Sequence, residues 1–258
     1  MTLSVVIITK NEEEEIHACL KSVNWADEHV VIDAESTDAT VDYVKAALPS
    51  TYIINKPWEG FGLQKNFGIK RASSDWILIL DADERVTLAL RDEIQQLLMG
   101  RGPDMAAYRL PRRNLYWGYW LRYGGLYPDY QVRLFRKEAA IYNDAPIHEN
   151  LIVSGKIGTL CSPLDHYTER RVNDHFEKMD RYTTLAAKEK FQLGHLVTWR
   201  HLMLHPLITF CKVLLIKQGI RDGVAGVVHS LFASMYTFLK YAKLWELCRN
   251  VHDTSRGL

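Results

Sequence analysis

Apolar positions along the first hundred residues follow two alternating rhythms. Residues 3–9, Leu-Ser-Val-Val-Ile-Ile-Thr, form a β-branched run that reads as a buried strand. Residues 12–23 then place Ile16, Leu20 and Val23 at helical spacing. A second short strand is predicted over 29–33. Ser36-Thr37-Asp38 then opens a helix that runs through 42–48, until Pro49 and Ser50 break it. A third strand follows over 52–55 and a third helix over 63–71. Residues 76–80, Trp-Ile-Leu-Ile-Leu, are apolar throughout, as a strand covered on both faces must be. A fourth helix is predicted over 87–99, closed by Gly100 and by Gly102-Pro103. This alternation predicts an α/β fold with a doubly wound, mostly parallel sheet and helices on both faces. Ligands of such sheets bind beyond the carboxyl ends of the strands.

The middle of the chain changes character. Residues 105–111 and 131–135 read as strands, and between them lie Tyr116-Trp117-Gly118-Tyr119-Trp120 and Tyr123-Gly124-Gly125. Aromatics at this density either stack on the face of a ligand or serve as core or membrane-interface residues. From about Asn173 the pattern is helical to the end. Residues 224–239 are apolar apart from His229, with Arg221-Asp222 before them and Lys240 and Lys243 at their end. That stretch is too short and too interrupted to span a bilayer. A helix lying in the interface, or a helical hairpin on the catalytic domain, is expected; an ordinary buried helical subdomain is the alternative.

Composition adds limits. With 258 residues, 47% hydrophobic and 24% charged, the chain can bury a core. A formal net charge of +1 gives no argument for a nucleic-acid partner. The charge is uneven, however: from His195 to Arg249 there are seven Lys or Arg against two Asp or Glu, which suits an anionic membrane surface. Cys19, Cys161, Cys211 and Cys248 are scattered without a C-x-x-C pair, so neither a zinc site nor a disulfide framework is indicated, and a reducing compartment is expected. The chain opens on a strand-like run without a basic segment or cleavage site, so a signal peptide is not expected.

Candidate chemistry begins at Asp81-Ala82-Asp83, directly after the apolar strand. Two carboxylates at the open end of a buried strand are costly without a cation or hydrogen bonds. A divalent ion bridging a diphosphate (Mg²⁺ or Mn²⁺) fits them, and an acidic turn capping the next helix is the plainer reading. The other early strands also end in polar residues: Thr9-Lys10-Asn11-Glu12, then Asp33 with Glu35-Ser36-Thr37-Asp38, then Gln64-Lys65-Asn66 beyond the third strand. Any one of these could be a cap or a solvated charge; a parallel sheet would bring them all to one edge.

These segments, together with Val5-Val6-Ile7-Ile8 and Val31-Ile32 ahead of them and Glu84 after Asp83, closely resemble family 2 glycosyltransferases of the GT-A nucleotide-sugar fold over roughly the first 150 residues. The resemblance implies that Thr9, Asn11 and Glu12 line the nucleotide pocket and that Asp33 accepts from the uracil edge. It further implies that Lys65 lies near the nucleotide or diphosphate, with Asp81 beside it, and that Asp83 binds the metal. Ala34-Glu35 departs from the family, many of whose members carry a small residue or Gly before the Ser. Asn143-Asp144-Ala145-Pro146-Ile147-His148-Glu149-Asn150 resembles the acceptor-side motif of bacterial members that build surface polysaccharide cores. An inverting enzyme needs a carboxylate to take the acceptor's hydroxyl proton; Glu149 is the first candidate and Asp144 the second. His148 is a candidate metal or diphosphate ligand, or the group that orients Glu149. Arg133 either offsets diphosphate charge or is a structural ion-pair partner.

With Lys217-Gln218-Gly219 and Asp222-Gly223 added, the whole chain is similar to the lipopolysaccharide inner-core β-1,4-glucosyltransferases of Gram-negative bacteria. That resemblance implies a nucleotide-sugar donor, UDP-glucose, and a lipid-anchored lipopolysaccharide core acceptor at its first heptose. It also implies a peripheral site on the cytoplasmic face of the inner membrane. The expected organisation is a catalytic domain over 1–172, with a nucleotide half over 1–100 and an acceptor half over 101–172, followed by a helical, membrane-associated segment over 173–258. A polyprenyl-phosphate sugar transferase shares the fold. A nucleotidyltransferase is disfavoured because residues 9–15 contain no glycine for a phosphate loop.

Overall fold

The computed structural model describes residues 1–100, 105–143 and 150–255. The chain divides into two compact units, one comprising Met1–Arg113 and Asp129–His166, the other Asn114–Pro128 and Tyr167–Leu258.

The first unit is built on a sheet whose core strands come from the apolar runs. β1 (Leu3–Thr9) is buried along its whole length, and β2 (Glu28–Asp33), β3 (Tyr52–Asn55) and β4 (Trp76–Asp81) lie parallel to it in the order β3-β2-β1-β4. The intervening helices are α1 (Ile16–Val23), α2 (Thr40–Ala47) and α3 (Phe61–Arg71), with α4 (Leu88–Met99) after β4. Because strand side chains alternate in direction, β1 sends Leu3, Val5 and Ile7 into one core and Val6 and Ile8 into another. The first core is closed by Ile16 and Leu20 of α1, Val44 of α2 and Leu90 and Ile94 of α4; Ile69 of α3 closes the second. Helices on both faces are what the two periodicities predict.

Gly68 is what lets α3 approach so closely. A Cβ there would lie 2.4 Å from Val6 Cγ1 and 3.1 Å from Ile32 Cγ1. No side chain fits that gap.

Beyond residue 81 the sheet changes sense. The remaining strands are β5 (Glu84–Val86), β6 (Ala107–Tyr116), β7 (Tyr119–Trp120), β8 (Asp129–Arg136), β9 (Ala140–Tyr142), β10 (Leu151–Val153), β11 (Ile157–Thr159) and β12 (Leu164–Glu169). β8 pairs antiparallel with β4 and with β6, and β12 pairs antiparallel with β5, completing the order β4-β8-β6-β12-β5. After α4 no α-helix separates the strands up to β12, so most of the pairing is antiparallel, with β11 alongside β6 as a parallel exception among the described residues. β5 has three residues, and no apolar run marks either β5 or β12 in the sequence.

The second unit contains α5 (Val172–Gln192), α6 (Trp199–Cys211), a π-helical turn (Lys212–Ile216), a 3₁₀ turn (Gly219–Asp222) and the 33-residue α7 (Gly223–Ser255). It also holds Asn114–Pro128, so the aromatic stretch that the sequence assigns to the acceptor half lies in the helical unit. Gly124 N–H donates to Lys217 C=O (2.9 Å) and Tyr123 N–H to Asp222 Oδ2 (2.8 Å). Those bonds tie this loop to the turns between α6 and α7. Among the described residues no single helix is long and apolar enough to cross a membrane; Trp199–Ile216 and Gly219–Asn250 together are, but they are bent by 68° at the break between them.

Candidate active site

The register of the parallel strands places the expected residues side by side. Thr9 lies opposite Asp33, Asp33 opposite Asn55, and Ile8 opposite Asp81. Thr9, Asp33 and Asp81 therefore occupy one edge of the sheet, at the carboxyl ends of three adjacent strands.

Loops beyond these ends are knitted by short polar side chains. Asn11 takes a left-handed conformation (φ +54°), donates its N–H to Ser36 Oγ (2.9 Å) and accepts from Thr37 N–H through Oδ1 (2.8 Å). Glu12 N–H donates to Thr40 Oγ1 (2.8 Å). Asp33 is buried, and its carboxylate accepts from Ser36 N–H (3.0 Å) and from Ser36 hydroxyl (2.6 Å). These two bonds make Asp33 the organiser of its loop. A carboxylate has about four acceptor sites, so capacity for a further donor remains. Glu35 sits at φ +59°, the region that glycine adopts without cost, which accounts for the small residue the resemblance leads one to expect there. Thr9 Oγ1 is buried without a hydrogen-bond partner in the described structure.

The Gln64-Lys65-Asn66 motif lies buried on α3, a face that apolar periodicity cannot reveal. Asn66 makes a reciprocal pair with the Tyr142 backbone, donating from Nδ2 to its carbonyl (2.8 Å) and accepting its N–H (2.9 Å). Gln64 Nε2 donates to Lys56 C=O (2.9 Å) and is structural in the same sense. Lys65 alone faces the carboxylates, with Nζ 3.3 Å from Asp81 Oδ1.

The two acids of Asp81-Ala82-Asp83 have different surroundings. Asp81 meets Arg133 Nη2 (2.7 Å) as well as Lys65. Burial would raise its carboxyl, but the Arg133 and Lys65 charges outweigh burial and hold it well below the usual carboxylate range. Arg133 also donates to Glu84 (2.6 Å), so the structural ion-pair reading of Arg133 describes its geometry. Glu84 is the hub: fully buried, it accepts from Arg133, from the Asp81 N–H (3.0 Å) and from Arg112 Nη1 (3.4 Å). Asp83 meets no Lys or Arg in the described structure; its Oδ2 lies 3.2 Å from Nε2 of His166, delivered by the pairing of β12 with β5. Glu84 belongs to the segment that carries the family resemblance, but its role as hub was not read from it. His166 and Arg112 escaped the sequence reading, because only pairings between strands distant in sequence bring them here.

These residues suit a divalent cation. Asp83 and His166 supply one carboxylate and one imidazole, both partly exposed. No group of three His, Cys, Asp or Glu forms a closed cage among the described residues, so a six-coordinate ion would complete its shell with water and diphosphate oxygens. Burial, and then Asp83, Glu15, Asp38 and Asp81, push Glu12 up to about 7. Such crowding of carboxylates is what a bound cation relieves.

A cavity of about 340 Å³ adjoins the network, lined by Lys65, Asp81, Arg112, Arg133, Tyr142 and Asn150 among others. A larger hollow of about 510 Å³, lined by Ile69, Lys70, Lys137 and Glu138 among others, contains neither Asp81 nor Asp83. Asp144, His148 and Glu149 lie outside the described residues. The chain on either side of them is joined: Asn143 N–H donates to Asn150 C=O (3.0 Å) and Asn150 N–H to Asn143 Oδ1 (2.9 Å).

Known proteins resemble this chain over the same regions. A solved mannosyltransferase, PcManGT from Pyrobaculum calidifontis in complex with GDP-Man and Mn²⁺, has a TM-score of 0.53 and 13% identity, covering 94% of this chain and 86% of its own. Its likeness is one of fold and identifies the sheet as GT-A. The lipopolysaccharide core biosynthesis glycosyltransferase LpsC of Rhizobium meliloti is 28% identical over 253 residues, 95% of this chain and 93% of that protein. An uncharacterised glycosyltransferase of Rickettsia typhi is 30% identical over 256 residues, 95% of this chain and 87% of its own. The model for glycosyl transferase family 2 matches residues 4–154. The chain belongs to glycosyl transferase family 2 and is a glycosyltransferase enzyme.

Proposed function

We propose that the chain moves a sugar, in the specific reading glucose from UDP-glucose, to the first heptose of a lipopolysaccharide inner core with inversion at the anomeric carbon, using Mg²⁺ or Mn²⁺. The observation that carries the metal-dependent reading is the Asp83–His166 pair at the sheet edge, beside a Glu12 that burial first, and then neighbouring carboxylates, push up to about 7. The likeness to LpsC, named for lipopolysaccharide core biosynthesis, supports the acceptor class. His166 stands beside Asp83, and His148 is kept in this reading as a further candidate ligand of the metal or the diphosphate.

Thr9, Asn11 and Glu12 line the nucleotide side, with Asp33 offering a remaining acceptor site to the uracil edge. Lys65 and Arg133 keep Asp81 ionised and fixed. A bound divalent cation would neutralise charge on the departing diphosphate. In a single displacement the acceptor oxygen bonds to the anomeric carbon as the bond to the UDP phosphate oxygen breaks. The acceptor's proton passes to a carboxylate, Glu149 first and Asp144 second. Asn150, which lines the cavity beside Lys65 and Asp81, directly follows Glu149 in the chain. Because the acceptor is lipid-anchored, transfer takes place at the cytoplasmic face of the inner membrane, against an anionic lipid surface.

The test is transfer from UDP- and GDP-sugars, with and without Mn²⁺, to core oligosaccharide and separately to polyprenyl phosphate. Asp83→Ala should abolish transfer and metal-dependent UDP binding without loss of fold. Glu149→Gln should lower kcat roughly 10²–10⁴-fold. NMR should show a β-linked product. Full activity in excess EDTA, an α product, or transfer only to polyprenyl phosphate overturns the corresponding part of the reading.

A further inference from the structure

Within the helical unit, the bend between α6 and α7 exposes the residues a soluble turn would hide. Turns in water are polar at their tips. Here Leu215, Ile216, Ile220 and Val224 are all exposed, Ile216 by 76% and Val224 by 82%. The bend is built in. Gln218 adopts φ +59°, a Cβ on Gly219 would lie 2.8 Å from the Val213 carbonyl oxygen, and one on Gly226 only 1.8 Å from that of Gly219. Gly219 therefore lets the start of the second arm pass close to the end of the first, and Gly226 lets α7 pack onto the turn that precedes it.

Charge is distributed around this apolar tip with one sign. Lys212, Lys217 and Arg221 are exposed among the aliphatic side chains. The one acid between residues 199 and 245, Asp222, is engaged by the Tyr123 N–H. Arg221 lies 4.3 Å over the Tyr123 ring, and the loop it holds leaves Tyr119 and Trp120 exposed. Aliphatic side chains at the tip, cations around them and amphipathic aromatics beside them are the ingredients of interfacial lipid binding.

We infer that the α6–α7 bend is a wedge that enters one leaflet of a bilayer containing anionic phospholipids, its aliphatic side chains passing below headgroups whose phosphates meet Lys212, Lys217 and Arg221. This deepens the reading of a lipid-anchored acceptor and rests on it for its biological setting. A second copy of the chain is a poorer occupant. In a two-fold contact of this patch with itself, the three cations would face their own copies. A full span is disfavoured by the 68° bend and by the absence, among the described residues, of a helix long and apolar enough to cross.

The experiment uses the full chain with Cys161, Cys211 and Cys248 replaced by serine. An environment-sensitive dye is placed at Ile216→Cys or, as a control in the catalytic unit, at exposed Leu88→Cys. Vesicles are phosphatidylcholine alone or with phosphatidylglycerol. The dye at 216 should shift to the blue and be quenched by lipids labelled near the headgroup, only with phosphatidylglycerol present, while the dye at 88 stays unchanged. Ile216→Glu with Val224→Glu should weaken vesicle binding more than tenfold. Lys212→Gln with Arg221→Gln should weaken it by roughly tenfold or more at low salt, an effect that fades at high salt.

No shift at 216, equal binding to neutral vesicles, or quenching at 216 by an agent trapped inside the vesicles each overturns the wedge. So does a dimer in solution that Ile216→Glu dissolves while vesicle binding is absent. The Glu double variant should keep transfer to a de-lipidated, water-soluble core acceptor. If the unaltered protein fails to transfer to that acceptor yet binds vesicles as described, the transferase reading fails and the wedge stands.

Discussion

Replacing Arg133 by methionine tests the charge network at its centre. The guanidinium is buried, and its Nη2 lies 2.7 Å from Asp81 and 2.6 Å from Glu84. Methionine fills much of the volume but leaves Glu84, which has no exposed surface, with Arg112 at 3.4 Å as its nearest cation. Asp81 keeps Lys65 at 3.3 Å and so loses less. Breaking a buried pair by removing one partner costs about 3–5 kcal/mol. At about 2–4 °C per kcal/mol for a unit of this size, the melting temperature should drop by about 6–20 °C. The pH dependence should change too. In the native protein Asp81 titrates below its unfolded value, so its stabilising contribution is present above the usual carboxylate range and is lost only as pH falls through the depressed folded value. Without Arg133 that value moves up, and the variant should lose stability at a higher pH on acidification. Adding Glu84→Gln removes the stranded charge and should recover part of the loss. Thermal and urea unfolding followed by circular dichroism from about pH 2 to pH 8 measures all three effects, the window reaching below the roughly 3.9 unfolded value of Asp where the acid loss occurs. A single variant within about 1 kcal/mol of the native protein, or a double variant no more stable than the single, refutes the assignment of Glu84 as the hub.

Gly68→Ala should destabilise by about 1–3 kcal/mol in urea melts, because its methyl would sit 2.4 Å from Val6 Cγ1; an unchanged midpoint means α3 can move off the sheet. Asn11→Ala removes both the acceptor for Thr37 N–H and a residue tolerant of φ +54°, and should cost about 1–2 kcal/mol and weaken UDP binding by calorimetry. Asn11→Gly should restore the backbone share alone, and equal losses in the two variants would count against that division. His229 is pushed down to about 4 by burial and by His175, so the unfolded chain, titrating near 6.5, takes up the proton first as pH falls. The helical unit should therefore lose up to about 3 kcal/mol between pH 6.5 and 4, and His229→Phe should flatten that slope in amide-exchange measurements of α7.

What could be read from the sequence follows from how local each signal is. The bounds of Leu3–Thr9 agree with the structure because a buried strand writes its apolar run in consecutive residues; those of the half-exposed Tyr52–Asn55 agree as well, and the run over 76–80 stops one residue short of the observed strand end. The parallel half of the sheet follows from the helices between those runs. The antiparallel half does not, since β5 has only three residues and β12, Leu-Asp-His-Tyr-Thr-Glu, carries no apolar period, so each is defined by the other. Ser36-Thr37-Asp38 carries a helix-start signal, and α2 begins at Thr40; Asp38 accepts from the Thr40 N–H and also from the Glu13 N–H, while the Ser36 hydroxyl and the Thr37 N–H tie the loop to Asn11. Short polar side chains satisfy a helix end or a neighbouring loop with the same chemistry, so the sequence cannot say which.

The candidate site divides along the same line. Thr9, Asp33, Asp81 and Asp83 stand at or beside the ends of strands that the apolar pattern located, so the sheet itself gathers their positions, and Lys65 reaches Asp81 from the buried face of α3. Which of two neighbouring carboxylates is available to a cation is a different question, decided by partners far away in the chain. Asp81 is neutralised by Lys65 and Arg133, whereas Asp83 is met by His166. The spacing of Asp81 and Asp83 is symmetric and the network around them is not. Glu84 enforces that difference, because one fully buried carboxylate accepting from Arg133, Arg112 and the Asp81 N–H fixes the first acid inward. A motif of two acids two residues apart therefore becomes one structural acid and one available acid only after β12 and β8 have been laid against the strands that carry it.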